Sequence, residues 1–431
     1  MTEAGIVRRV GKEVNNDDIY EMVKEAVELI GGWKDVVKNG DKVLIKPNMV
    51  RPAPPPTTTD PRVIAAIVKL AYEHGAGEVW VGDDTATMTH WWREEATTRQ
   101  VMDANGVTEA VEAVGGKIVP FDEDEWIEVE IPGALTQYKA RLAKKVMDCD
   151  VYISAPIAKG SMEGTVTLNI KGLQGITDPY ITRLQHHRQD LAMKLVDILR
   201  VVRSKMKLNI IDMIKPMEGR GPIYGKPVEG FNTIVATKDP VAGDVVGCLI
   251  MGYNHEDHDM SRLAGFYGLG ESNPDNIKIK GTPLSEFTYK FESYFPHVKG
   301  VYENVDVIEG GTCNTCRAWI RFALDALKGK YPNLGEVIKR SVGKLTILSG
   351  IEPPLPEDVR DLQGKVIVFG DCAIMTAKKV KRVLETKATY VMGCPPFEIG
   401  PVVQAVKKAM NLEVTGKEAY EGYGVSNKLK K

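Results

Sequence analysis

What this sequence has little of narrows its identity first. No apolar run in the 431 residues approaches the roughly 18 that a membrane-spanning helix needs. The first residues, MTEAGIVRRVGKE, lack the apolar stretch of a secretory leader. A cytoplasmic protein with no membrane partner is therefore expected. Cysteine is sparse, six residues in all, which excludes a disulfide scaffold. Neither charge dominates: 56 Lys and Arg stand against 58 Asp and Glu, a balance of −2. Residues 1–300 carry 36 − 43 = −7 and residues 301–431 carry 20 − 15 = +5. Neither part has the basic footprint of a nucleic-acid binder. Also missing are a G-x4-G-K-[ST] phosphate loop and a dinucleotide G-x-G-x-x-G.

What is present is an ordinary globular balance of 43% apolar and 26% charged residues, long enough for two or three domains. Strand-like and helix-like segments alternate. Residues 18–30 have helical spacing, and DKVLIKPNMV is an apolar run of strand length. After the Pro-rich RPAPPP comes a helix signal: Asp60 as N-cap, Pro61 at the first helical position, Gly75 or Gly77 at the end. VWVGDD then reads as the next strand of a parallel βαβ unit. Further strands are expected at DVYISAPI, LNIIDMI and FNTIVAT, with helices at 188–203 and 240–251 and a loop-rich stretch over 253–300. From residue 301 the pattern restarts. NVDVIEGG, GKLTILSG, GKVIVFGD and ATYVMGC read as strands, and helices are expected at 317–329, 377–385 and 401–411. The fold class is α/β: a parallel-sheet N-terminal domain over 1–300 and a smaller Rossmann-like domain over 301–431.

The cysteines are unevenly placed. Cys149 and Cys248 stand alone in apolar segments and read as packing residues. Cys313, Cys316, Cys372 and Cys394 all follow strands of the C-terminal domain. The carboxyl ends of parallel strands share one sheet edge, so these sulfurs can converge. Four thiolates favour an iron–sulfur cluster or zinc. An all-cysteine zinc site usually pairs two short knuckles, and only Cys313-x2-Cys316 is one. A 4Fe-4S cluster tolerates irregular spacing. Zinc and unrelated thiols stay open.

A second constellation is KGSMEGTVTLNIKGLQG, residues 159–175, after strand DVYISAPI. Glycine amides with Lys159 and Lys171 can receive a carboxylate or phosphate, and Thr165 and Asn169 can orient it. Lys46, Thr59 and Asp84 end or follow strands at the same edge. A glycine-rich connector is the bland alternative. His186-His187 offer a proton carrier nearby, with His187 or Lys46 as the catalytic group. His255, Glu256, Asp257 and His258 read as a solvated loop, with a divalent-ion site as the rival.

Several stretches together resemble one family: Lys46-Pro47-Asn48, the TTTDP at 57–61, GAGEVWVGDD and the CDVYISAPIAKGSMEGTVTLNIKGLQG run. The His186-His187 step, the IIDMI…GRGP stretch from Asp212 to Pro222, and TKDPVAGDVVG with Asp239 and Asp244 join them. This is the bacterial and archaeal family catalogued as domain of unknown function 362, and the resemblance covers residues 40–252. It implies an iron–sulfur protein, although the C-x2-C-x2-C-x3-C run often appended in that family is not found here.

The reading is an oxygen-sensitive 4Fe-4S enzyme, an oxidoreductase or a cluster-dependent lyase or isomerase, acting on a small anionic metabolite. Its rivals are a non-catalytic electron-transfer or cluster-carrier protein and a zinc-stabilised binding module. The partners it admits are that metabolite, an electron-transfer protein and a second copy of the chain as a homodimer.

Overall fold

The computed structural model describes residues 2–11, 13–85, 96–161, 164–179, 181–183, 191–293, 298–393, 396, 406–408 and 410. Contacts within the chain divide it into two compact units, Met1–Tyr294 and Phe295–Lys431.

The first unit is built on an apolar centre. Strands Lys42–Pro47 and Val151–Ala155 are buried almost throughout. That is the pattern a strand covered on both faces must have. Alternate residues serve opposite faces. Val43 and Ile45 enter the core beneath helices Asn16–Leu29 and Pro61–Glu73, while Leu44 enters the core beneath Leu191–Val202. The helix starts follow their caps. Asp60 accepts the Arg62 N–H at 2.9 Å ahead of Pro61, as the spacing predicts. Asp239 does the same for Pro240–Ile250.

Among the described residues one sheet of eleven strands crosses this unit. Its main path runs Ile277–Gly281, Thr2–Arg8, Thr233–Thr237, Met206–Glu218, Val151–Ala155, Lys42–Pro47, Glu78–Val81, Lys117–Ile118. The expected parallel sheet is corrected to a mixed, mostly parallel one. Thr233–Thr237 runs antiparallel to both Thr2–Arg8 and Met206–Glu218. The connection 219–232 contains no helix, and without a crossover helix successive neighbouring strands pair antiparallel.

The order reverses at one place. From Lys42–Pro47 the chain proceeds outward to Glu78–Val81, and from Val151–Ala155 it proceeds the other way to Met206–Glu218. These two central strands lie side by side in parallel, Lys46 opposite Ser154 and Pro47 opposite Ala155. The crevice beyond their carboxyl ends is where open α/β sheets hold ligands.

Some elements were not legible in the sequence. Ile157–Ser161 and Thr165–Thr167 form an antiparallel hairpin where a glycine-rich loop is expected. The strand Thr2–Arg8 and the hairpin Trp126–Glu130 with Lys139–Ala143 are additional. The stretch 253–300 contains helix Asp259–Phe266 and strand Ile277–Gly281.

In the second unit, strands Val305–Glu309, Leu345–Ser349, Lys365–Phe369 and Ala388–Val391 lie in that order, all parallel. All four stand where the sequence predicts them. Helices Asn314–Lys330, Leu334–Val342 and Ile374–Leu384 accompany them. The helix expected over 401–411 falls mostly outside the described residues, of which 406–408 are helical. Among the described residues no helix is long and apolar enough to cross a membrane.

Candidate functional site

Around the reversal point the strand ends carry buried charged side chains. Lys46, the next-to-last residue of its strand, is buried and forms a 2.8 Å ion pair with Asp83. It also donates to the carbonyl of Pro47 at 2.8 Å. Asp83 accepts the Met49 N–H at 2.7 Å through its other oxygen. Burial pushes the Lys46 ammonium down and the Asp83 carboxyl up, and their pairing opposes both shifts. Gly175 allows this pair to form: a Cβ there would stand 1.9 Å from Asp83 Oδ1 and 2.8 Å from Lys46 Nζ.

Lys159 sits on the buried strand Ile157–Ser161, fully withdrawn from solvent. Its ammonium donates to Asn48 Oδ1 at 3.0 Å and to the Thr57 carbonyl at 2.7 Å. Burial holds it well below its ordinary value, and the charges of Lys171 and Lys46 add to the shift while Asp83 opposes it. Lys171, also buried, donates to Ser161 Oγ at 2.6 Å. Asp84 pairs with Arg183 at 2.6 Å, and burial raises its carboxyl to about 7 against that pairing. Arg183 is placed by its turn: Lys194, itself buried, donates to the carbonyls of Thr182 at 2.5 Å and Arg183 at 3.5 Å. Lys46, Lys159, Lys171 and Arg183 are thus buried, as are the carboxyl groups of Asp83 and Asp84.

Other expected residues are anchored to the backbone. Thr59 donates to the Ala155 carbonyl at 2.8 Å and accepts the Asn48 N–H at 2.9 Å, tying the Lys-Pro-Asn turn to the neighbouring strand. The Thr165 hydroxyl donates to the Asp257 carbonyl at 2.9 Å. The backbone N–H groups of Asn169 and Ile170 donate to buried Asp244, at 2.8 and 3.1 Å. His187 lies outside the described residues. Arg183 and Ser161 were not foreseen as site residues. For His258 the expected reading is a solvated loop, with a divalent-ion site as the rival. That residue is fully buried beside this hairpin, whereas its neighbours Glu256 and Asp257 are solvated as expected. No sequence pattern marks Arg183; only the tertiary packing does.

In the second unit Cys313 and Cys316 follow strand Val305–Glu309, and Cys372 follows strand Lys365–Phe369. Cys313 caps helix Asn314–Lys330 and is in hydrogen-bond contact with Cys316. The Cys316 sulfhydryl, helped by the N–H groups of Cys316 and Thr315, holds the Cys313 thiol at about 6 against the upward pull of burial. The Cys316 sulfur reaches the turn that carries Cys372, since a Cβ on Gly370 would meet it at 3.4 Å. Asp371 joins that turn to the following strand end. It accepts the Gly393 N–H at 2.7 Å and the Tyr390 hydroxyl at 3.0 Å, while its own N–H donates to the Gly393 carbonyl at 2.8 Å. Cys372 is exposed. Cys394 lies outside the described residues. Among the described residues no group of three or more His, Cys, Asp or Glu side chains stands in metal-binding arrangement. Cys149 and Cys248 are buried, and burial pushes the Cys149 thiol up to about 12.

Residues 43–249 match the family model described as domain of unknown function (DUF362). Over these residues the chain is similar to that family. Lys46, Asp83, Lys159, Lys171 and Arg183 all fall within this segment, whereas His258 and the C-terminal cysteines lie beyond it. The chain is 29% identical over 236 residues to thylakoid-associated protein sll1697 of Synechocystis sp., a match covering 52% of this chain and 67% of that protein. Among solved structures it is similar to the lactate racemase apoprotein from Thermoanaerobacterium thermosaccharolyticum, with TM-score 0.39 and 12% identity, covering 91% of this chain and 98% of that one. A protein from Thermotoga maritima gives TM-score 0.37 and 12% identity over 89% and 93%.

Proposed function

We propose that the DUF362 segment binds a small carboxylate or phosphate compound at the crevice, and that the C-terminal unit holds an iron–sulfur cluster on Cys313, Cys316, Cys372 and Cys394. The observation that carries the anion reading is Lys159. An ammonium has three protons, and two of these go to uncharged oxygens while none reaches a carboxylate among the described residues. Burying such a charge costs several kcal/mol, of order 5. An anion beside Lys159 and Lys171 offsets that cost. Lys46, held by Asp83 with its proton loosened by burial, is the group to move a proton; it leans on a carboxylate that burial has also made more basic.

For the cluster, support comes from the Cys313–Cys316 contact and the glycine cradle at residue 370, which fit a sulfur-rich group. Bound there, a 4Fe-4S cluster supplies one-electron transfer when all four ligands are thiolates. The chain's contribution is the edge itself, where Asp371 fixes one turn against the next.

The two halves are tested separately. Calorimetry with inorganic phosphate should show binding to the full chain that Lys159→Met abolishes. Melting should report the difference between removing a buried charge and leaving the Asn48 and Thr57 acceptors without their donor, which costs about 1–3 kcal/mol per acceptor. Phosphate binding untouched by Lys159→Met would refute the anion site. Anaerobically purified protein should carry about four iron and four sulfide per chain. Cys316→Ser should lose most of it and Cys149→Ser none; equal loss from both would refute the cluster assignment.

A further inference from the structure

In the second unit the helix Ile374–Leu384 presents charge of one sign. Its sequence, IMTAKKVKRVL, holds four cations and no acid. Lys378, Lys379, Lys381 and Arg382 are all exposed, and none has an ion-pair partner among the described residues. Asp371, the acid ahead of the helix, is turned to Gly393 and Tyr390 instead. The helix dipole accounts for cations in the last turn, Lys381 and Arg382, but not for Lys378 and Lys379 in mid-helix. A helix face solvated for its own sake usually alternates charge, and this one does not.

The same helix opens with Ile374 and Met375, both exposed. Met375, Lys379 and Arg382 are spaced i, i+4, i+7 and so share one stripe, about 10 Å long at ~1.5 Å per residue. Strands Leu345–Ser349, Lys365–Phe369 and Ala388–Val391 are adjacent and parallel, so the turns after them stand side by side. Ile351 follows the first strand, Ile374 and Met375 the second, Met392 the third. Five large apolar side chains of this unit are exposed among the described residues, and these four are all but Val383. Met375 and Met392 are 70% and 72% exposed, too far out to serve packing. Cys372, itself exposed, lies on the middle turn. The Gly311 N–H donates to the Ile351 carbonyl at 2.8 Å, which ties the first turn to the segment leading to Cys313.

Resting on the cluster reading, we infer that this face docks a small acidic protein that carries one electron to or from the cluster. The apolar turns make the centre of the contact and the cations its rim, the anatomy of a protein interface. A small apolar centre with a charged surround suits the weak, charge-steered encounters of electron carriers, which bury less than about 1,200 Å². On docking, one electron passes between carrier and cluster; one is oxidised as the other is reduced, and no bond forms or breaks. A membrane fits less well, because Ala377 and Val380 face the core and leave Ile374 and Met375 alone to insert. Single-stranded nucleic acid fits less well too, since the exposed apolar residues are aliphatic and offer no ring for a base to stack on.

Calorimetry on the anaerobically purified full chain tests this, with a plant-type ferredoxin as acidic carrier and cytochrome c as a basic one. The ferredoxin should bind and cytochrome c should not. Raising salt from about 0.01 to 0.1 M, which cuts the Debye length from ~30 to ~10 Å, should weaken ferredoxin binding about tenfold. Lys378→Glu with Lys379→Glu should weaken it by more than about tenfold, and Met375→Ala by about threefold. Lys328→Glu with Lys339→Glu makes the same change in net charge on other helices and should matter less than about twofold. All four lysines are exposed, so both double variants should keep the wild-type urea midpoint. Iron is measured on every sample. Protein with about four iron per chain that binds no ferredoxin, binds cytochrome c equally, or responds alike to the two double variants overturns the inference while the cluster stands. Iron-free protein overturns the cluster reading and this inference with it. Should phosphatidylserine vesicles or an oligothymidine strand bind instead of ferredoxin, and Lys378→Glu with Lys379→Glu abolish that binding, the face belongs to a membrane or a nucleic acid and the inference is overturned.

Discussion

Lys46 and Asp83 meet only because residue 175 has no side chain, and that makes Gly175 a sharp probe of the site. Gly175→Ala puts a methyl group 1.9 Å from Asp83 Oδ1. The pair must separate inside a buried space, and breaking a buried ion pair costs about 3–5 kcal/mol. The urea midpoint should fall accordingly, and phosphate affinity should drop more than tenfold. Gly172→Ala is the control: a Cβ there meets nothing within 4 Å, on a helix, so it should be neutral or stabilising by up to about 1 kcal/mol. Equal midpoints for the two variants would show that the close approach at residue 175 is of no consequence. At this scale the sequence was informative about charge and silent about burial. Lys46 and Asp84 are readable because polar residues that end or follow apolar strands gather at a sheet edge. Lys159 instead stands mid-strand and Lys171 on the short helix Asn169–Gly172, where a glycine-rich loop is expected. His258 is not readable, since His-Glu-Asp-His in a polar stretch looks solvated until a neighbouring hairpin covers one of its four residues.

Among the elements, the four-strand sheet of the C-terminal unit was the most legible, because each strand is a short apolar run closed by glycine or asparagine. What could not be read is how its turns are joined. Asp371, beside Cys372, is the tie between that turn and the strand end at Tyr390 and Gly393. Asp371→Ala removes acceptors for Gly393 N–H and Tyr390 OH, a loss of about 1–2 kcal/mol. Iron content after anaerobic purification should fall although every cysteine is intact, and Asp371→Asn, which keeps one acceptor oxygen, should recover part of it. Unchanged iron in Asp371→Ala would show that the tie has no part in holding a cluster. In the first unit the strand Ile157–Ser161 escaped notice for a physical reason. Its residues, Ile-Ala-Lys-Gly-Ser, have turn-like composition, and only pairing with Met206–Glu218 and Thr165–Thr167 makes them a strand. The consequence is functional, since Lys159 stands on a rigid strand rather than on a loop.

Taken as a whole, the molecule buries ionisable groups that burial drives toward their neutral forms, and its stability should carry that signature. Asp84, Asp212 and Asp244 are each raised from 3.8 to about 7, burial being the main cause in all three. A carboxyl with a raised folded-state value takes up a proton on folding, so its contribution is complete below 3.8 and is lost as pH rises through 7. His258 acts in the opposite sense, adding stability as pH rises from about 4 to 6.5, but it is one group against three. The buried Lys46, Lys159 and Lys194 are lowered, so their contribution grows with pH toward 10.5. The urea midpoint should therefore decline between pH 5 and 7 and recover on the alkaline side, in contrast to the broad neutral optimum of most proteins. Asp244→Asn should flatten the decline by one proton's worth, at some cost from setting an amide against the Asn169 and Ile170 N–H groups. Saturating phosphate should deepen the stabilisation most at low pH, because an anion beside Lys159 favours its charged form and binding then takes up protons. A midpoint that rises steadily from pH 5 to 7 in the wild type would mean that these carboxyls stay ionised, and that the buried charges are balanced in some way other than the one described.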